Sequence, residues 1–177
     1  MKIENVMTRG VKTCRPEDTL ARAAQIFWDL DCGVVPVVDG ENHVVGMLTD
    51  RDVCMAAWFG GRPLDALCVA DAMADRVYVC RTDDSIASAS SMMRAKRVRR
   101  LPVLDEAGRL AGIVSLNDLV RHAARDDARM SPQELVAVMA AVCEPRTRPD
   151  PTKALDVLPP RAVVAPQPPR ATVAARG

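Results

Sequence analysis

The chain repeats itself. Laid over itself, positions 3–58 fall on 69–124 without a gap, and 13 of the 56 pairs are identical. They include Met7/Met73, Val11/Val77, Cys14/Cys80, Asp18/Asp84, Ala23/Ala89, Pro36/Pro102, Val37/Val103, Asp39/Asp105, Gly46/Gly112 and Asp52/Asp118. Others exchange like for like: Thr19/Ser85, Leu20/Ile86, Val35/Leu101 and Thr49/Ser115. An Ala/Val-rich composition does not by itself place Pro, Gly and Asp at one constant offset. Internal repetition therefore sets the architecture. A unit of some 55 residues has little core of its own, so two must share one.

Each repeat reads as β-α-β-β-α. In the first, residues 11–14 form a short strand candidate. Pro16-Glu17-Asp18 opens a helix with Asp18 as N-cap. Leu20, Ala23, Ala24, Phe27 and Leu30 recur at helical spacing. Residues 34–38 read as a buried strand, with Pro36 arguing for an edge position or a strand start. Asp39-Gly40-Glu41-Asn42 is a turn, residues 44–49 a strand, and a second helix runs from Asp50 to about Trp58. The second repeat gives a matching strand, a helix over 85–97, strands over 100–104 and 110–115, and a helix over 116–125.

The expected class is α+β: two repeats, 1–58 and 69–125, packed sheet to sheet, with a linker over 59–68. A further helix is predicted over 131–144, with Ser131 as cap, Pro132 at its first position, Glu134 closing a capping box, and an apolar face of Leu135, Val136, Met139 and Val142. From Pro145 the composition changes: eight of thirteen prolines lie in 145–169, among arginines. The segment 145–177 reads as a disordered tail, or else a basic interaction arm.

Composition narrows the function. A net charge of +1 gives no global reason to bind nucleic acid or membranes. The N-terminus lacks the apolar run of a signal peptide, and the longest apolar run, 135–143, is too short to span a bilayer. The expectation is a soluble, cytoplasmic protein. Six cysteines form no C-x-x-C pair and have only His43 and His122 beside them, a poor zinc pattern. They read as reduced thiols acting as small core hydrophobes, with Cys14 and Cys80 alternatively a redox pair.

One element carries candidate binding chemistry. Gly46-Met47-Leu48-Thr49-Asp50-Arg51-Asp52 joins a strand to a helix, and Gly112-Ile113-Val114-Ser115-Leu116-Asn117-Asp118 is its counterpart. Glycine permits close approach. The helix start offers free N–H groups and a positive dipole end that suit phosphate. A carboxylate can accept two hydrogen bonds from a ribose diol, and Arg51 adds a phosphate-matching fork. The plainer reading is a pair of capping boxes, Thr49-x-x-Asp52 and Ser115-x-x-Asp118. Against that stand the glycine before each, the Pro-Val-x-Asp upstream of each and the repetition of the whole.

These two stretches, each preceded by its Pro-Val strand (from Val35 and from Leu101), resemble the signature of cystathionine-β-synthase-type (CBS) domains. The resemblance covers about residues 1–125. It implies two domains packed through their sheets with pseudo-twofold symmetry, clefts that hold adenosine-containing ligands, and a disc-like homodimer. Carried over residue by residue, it makes Asp52 and Asp118 ribose ligands. It makes Thr49, Arg51 and Ser115 phosphate-side groups, and Thr13, Val35, Val79 and Leu101 walls of the adenine pocket. Arg99 and Arg100 match a place where the family often has phosphate-binding cations; alternatively, with Arg94, Lys96 and Arg97, they are a solvated basic helix end. Arg51 faces neutral Asn117 across the repeats, so two inequivalent sites are expected.

The function implied is a non-catalytic sensor that needs no cofactor. Its regulatory ligand would be AMP, ADP or ATP, or S-adenosylmethionine, and its output a changed contact with an unnamed partner protein. An enzyme is disfavoured, since no Ser-His, Cys-His or metal arrangement is legible. A nucleic-acid adaptor using the Arg94–Arg100 patch and basic tail lacks aromatic stacking residues.

Overall fold

The computed structural model describes residues 1–124 and 131–145. The first repeat contains β1 (Thr8–Arg9), α1 (Leu20–Asp29), β2 (Val34–Val38), β3 (Val44–Thr49) and α2 (Asp50–Gly60). The second contains β4 (Cys80–Arg81), α3 (Ile86–Lys96), β5 (Arg100–Leu104), β6 (Leu110–Ser115) and α4 (Leu116–Ala123). Helix α5 (Pro132–Cys143) follows. The basic, proline-rich segment expected beyond Pro145 lies outside the described residues.

The hairpins β2–β3 and β5–β6 are built alike. Their antiparallel registers place Val35 opposite Leu48 and Leu101 opposite Val114, both pairs buried. At the first turn Asp39 Oδ1 accepts the N–H groups of Glu41 and His43, each at 2.9 Å. At the second, Asp105 Oδ1 accepts the Arg109 N–H at 2.8 Å. Those backbone N–H groups, of His43 and Arg109 respectively, hold both carboxyls below the usual carboxylate range. The aspartate of each Pro-Val-x-Asp is thus the turn former.

The N-terminal arms are exchanged. Strand β1, from the first repeat, pairs with β6 of the second, giving the order β1-β6-β5-β4. Reciprocally, Ala74, which leads into the second repeat, bridges Met47 on β3. The Ile3 N–H donates to Asp84 O and the Glu4 N–H to Thr82 O; at the equivalent positions of the second arm, Val69 donates to Asp18 O and Ala70 to Pro16 O. Side chains follow: Ile3 and Met7 are buried in the core of the second repeat, while Val69 and Leu67 are buried in that of the first with Met73 packed against it. Burying two such side chains contributes roughly 3–6 kcal/mol per arm. His43 and Arg109, equivalent by the repeat, bridge each other, so the pseudo-twofold axis passes between them.

This exchange explains the motif glycines. A Cβ on Gly112 would run into the Thr8 carbonyl oxygen, a backbone atom that cannot turn aside; one on Gly46 would sit 2.5 Å from Met73 Sδ. The close approach that glycine permits is to the arm of the other repeat.

Several sequence expectations shift. The first strand forms at Thr8–Arg9; of residues 11–14 only Cys14 pairs, through one bridge to Val37. The caps are Thr19 and Ser85, whose hydroxyls accept from Arg22 and Ser88, while Asp18 turns back to the Arg15 N–H at 2.8 Å. Pro36 lies within its sheet, between Cys14 and β3. Its carbonyl accepts the Cys14 N–H, and the bridging begins there, so its missing donor costs nothing. The linker contributes to the core through buried Leu67. On α5 the inward face is Leu135, Val138 and Val142; Val136 and Met139 are exposed, because a helix this rich in Val and Ala carries apolar residues on every side.

Ile3→Ala should lower stability by about 2–5 kcal/mol. In hydrogen exchange the lost protection should appear in α3 and β5 of the second repeat. Loss confined to α1 and β2 would contradict the exchange.

Candidate functional site

Both Thr/Ser-x-x-Asp elements are capping boxes with one geometry. Ser115 Oγ accepts the Asp118 N–H at 3.3 Å, and Asp118 Oδ2 accepts the Ser115 N–H at 2.8 Å and the Ser115 hydroxyl at 2.6 Å. In the first repeat Asp52 Oδ2 accepts the Thr49 N–H at 2.9 Å and hydroxyl at 2.6 Å, and Thr49 Oγ1 accepts the Asp52 N–H at 3.2 Å. In each box the second oxygen, Oδ1, lies outside the cap. On Asp118, which is 5% exposed, that oxygen accepts from Arg121 Nη2.

A cleft of about 340 Å³ opens beside the second box, within the size range of small-ligand sites. It draws on both repeats. Ser115, Asn117, Asp118 and Arg121 come from the start of α4, and Arg100 and Ile113 from β5 and β6. Facing them are Thr8 to Lys12 of the exchanged arm, then Leu30, Cys32 and residues 34–36 on and before β2. One wall is apolar and the other carries a helix start with its hydroxyl, so the cleft can stack a planar ring and hydrogen-bond an anion.

Of the residues singled out in the sequence, the cleft brings together Val35, Arg100, Ser115 and Asp118. Thr49, Arg51 and Asp52 cluster at the start of α2 in the other box. Leu101 is fully buried in the second core, and Thr13 and Val79 are half-buried beside the short strands without lining this cleft. Arg99 is exposed, and its carbonyl accepts the Leu116 N–H at 2.9 Å. The basic run disperses. Arg94 borders a groove between α3 and α5, Lys96 Nζ lies 5.3 Å from the Tyr78 ring centroid, Arg97 pairs with Glu144, and Arg100 enters the cleft.

Arg9, Lys12 and Arg121 in the cleft lie outside the motif. Comparing the repeats exposes them, since their counterparts are Asp75, Tyr78 and Met55.

All six cysteines are free. Cys14 and Cys80 lie in separate cores, which removes the geometry for a redox pair. Burial pushes their thiols up, to about 11 and about 12. At pH 8 the thiolate fraction is then about one in a thousand or less. Among the described residues no cluster of three His, Cys, Asp or Glu could hold a metal, and no helix is long and apolar enough to cross a membrane.

The CBS-domain family model matches residues 3–58 and 69–125. The chain belongs to the CBS-domain family. It is 30% identical over 141 residues to Hypoxic response protein 1 of Mycobacterium tuberculosis, covering 80% of this chain and 93% of that one. A crystal structure of Hypoxic Response Protein I with two coordinated zinc ions superposes with a TM-score of 0.63 at 30% identity, over 69% of this chain and 98% of that one. CBSX2 in complex with AMP shares the fold at a TM-score of 0.60 and 23% identity, over 69% and 95% of the two chains. So does the CBS domain pair of protein MJ0100 in complex with 5′-methylthioadenosine and S-adenosyl-L-methionine, at 0.61 and 21%, over 68% and 94%.

In native protein at pH 8, iodoacetamide should modify exposed Cys54, Cys68 and Cys143 within minutes and leave Cys14 and Cys80 untouched. Peptide mass spectrometry reads this directly. Equal labelling of all six would contradict the two buried positions.

Proposed function

We propose that this protein is a non-catalytic regulatory module that binds an adenosine-containing nucleotide and changes its contacts with a partner protein in response. The observation that carries this reading is the cleft between the repeats. In it the Ser115/Asp118 element faces the apolar β2 strand of the other repeat. A purine ring fits against residues 34–36, the Asp118 carboxylate takes the ribose diol, and Ser115 with the first N–H groups of α4 takes phosphate. Thr49, Arg51 and Asp52 serve the companion site, and Val35 stands on the base side of this one. The adenosine ligands of CBSX2 and MJ0100 support the ligand class.

Isothermal titration of the full chain with AMP, ADP and ATP tests this. Binding is expected at or below millimolar ligand, with Asp118→Ala and Asp52→Ala each weakening one of two components by roughly ten- to a hundredfold. Unchanged isotherms in both variants, or no binding to wild type, would rule the reading out.

The self-association surface of this reading is the helical face of the first repeat. Helix α5 packs on α3 and α4 of the second repeat, burying Val138 and Val142. On α1 and α2 Trp28 is 85%, Trp58 62% and Phe59 63% exposed. Their occupant is a second copy of the chain, in line with the homodimer that the resemblance implies. Light scattering coupled to size exclusion should show a dimer that Trp28→Glu with Phe59→Glu converts to monomer. A monomeric wild type, or a dimer indifferent to both changes, would refute this surface.

A further inference from the structure

The cleft beside Asp118 is strongly cationic, and its charge is local. Four cations line it: Arg9, Lys12, Arg100 and Arg121. Among the described residues the one acid lining it is Asp118, and that is paired with Arg121 through the oxygen left over from the cap. Arg9 donates to the Glu4 carbonyl, which leaves its charge in place. Among the described residues Lys12 and Arg100 have no carboxylate partner. With the Arg121–Asp118 pair neutral, Arg9, Lys12 and Arg100 leave three positive charges unbalanced among the described residues.

This excess is not inherited from the repeat. The equivalent positions in the other repeat hold Asp75 for Arg9, Tyr78 for Lys12, Val34 for Arg100 and Met55 for Arg121. The protein as a whole has a net charge of only +1, so the potential belongs to the cleft. A concave site of one sign concentrates ligands of the opposite sign, and several cations select by the number of charges a ligand offers.

Resting on the reading of this cleft as an adenosine site, we infer that it is specific for a nucleoside polyphosphate. Near neutral pH a monophosphate brings about two negative charges and a triphosphate about four. Only the di- and triphosphates match three free cations. S-adenosylmethionine, positive at sulfur, is repelled. Arg121 acts as a positioning residue: it neutralises Asp118, so that the carboxylate does not oppose the phosphates, and holds its Oδ1 in place for ribose.

Competitive titration of the full chain with ATP, ADP, AMP and S-adenosylmethionine decides the matter. ATP and ADP should bind at least about tenfold tighter than AMP, and S-adenosylmethionine weakest. The ATP affinity should also fall more steeply with salt than that of AMP. Lys12→Ala and Arg100→Ala, both away from the buried cores, should each narrow the ATP-over-AMP ratio by about tenfold. Lys12 is the cleaner variant, because it is exposed and lies outside any strand, whereas Arg100 is part of β5. AMP or S-adenosylmethionine binding as tightly as ATP would overturn the inference and leave the adenosine site standing. So would a ratio unchanged in both variants. No binding by any of the four would sink the site and the inference together.

Discussion

Two short arms hold the halves of this protein together, each buried in the core of the repeat it does not belong to. Ile3 and Met7 complete one core, Leu67 and Val69 the other, and the backbone bonds of the two arms match one for one under the repeat. Neither sheet is finished without the other repeat's arm. Gly112 has no side chain because the Thr8 carbonyl lies where one would go, and β1 is held against β6 as a result. The arm then continues through Gly10 to Lys12 along the cleft. Exchange of arms is thus what carries first-repeat residues to the second-repeat aspartate.

Symmetry of backbone and asymmetry of charge coexist here without conflict. The turns, caps and arm bonds repeat almost bond for bond, since each answers a backbone requirement that both halves share. The side chains that project into the cleft answer no such requirement. They are free to differ, and the cations at 9, 12, 100 and 121 are opposed by Asp, Tyr, Val and Met across the axis. One scaffold therefore presents two chemically distinct surfaces.

Most of the architecture was legible in the sequence because its punctuation is polar and rigid. Pro36 and Pro102, Asp39 and Asp105, Gly46 and Gly112 each fix a backbone event, and the strands and helices between them lie where the spacing placed them. The partners were less legible. Nothing in the sequence pattern says against which repeat Ile3 and Val69 are buried, so the exchange could not be read from it. The same ambiguity hid the inward face of α5, where Val136 and Val138 are equally apolar and only Val138 is buried. Ser115, Asp118 and Arg100 were legible from the motif. Arg9, Lys12 and Arg121 were not, because they belong to no motif and are found only by asking where the two repeats disagree.

The aspartates of the two boxes have two employments. One oxygen closes a helix start; the other lies outside the cap, and on Asp118 it borders the cleft beside Arg121. A protein of this kind that ceased to bind anything would still have a reason to keep Asp52 and Asp118, since losing either would fray α2 or α4 at its first turn. The signature by which such domains are recognised is therefore a statement about how the helix begins. What distinguishes one copy from another is written elsewhere, in the second oxygen and in the charges gathered around it.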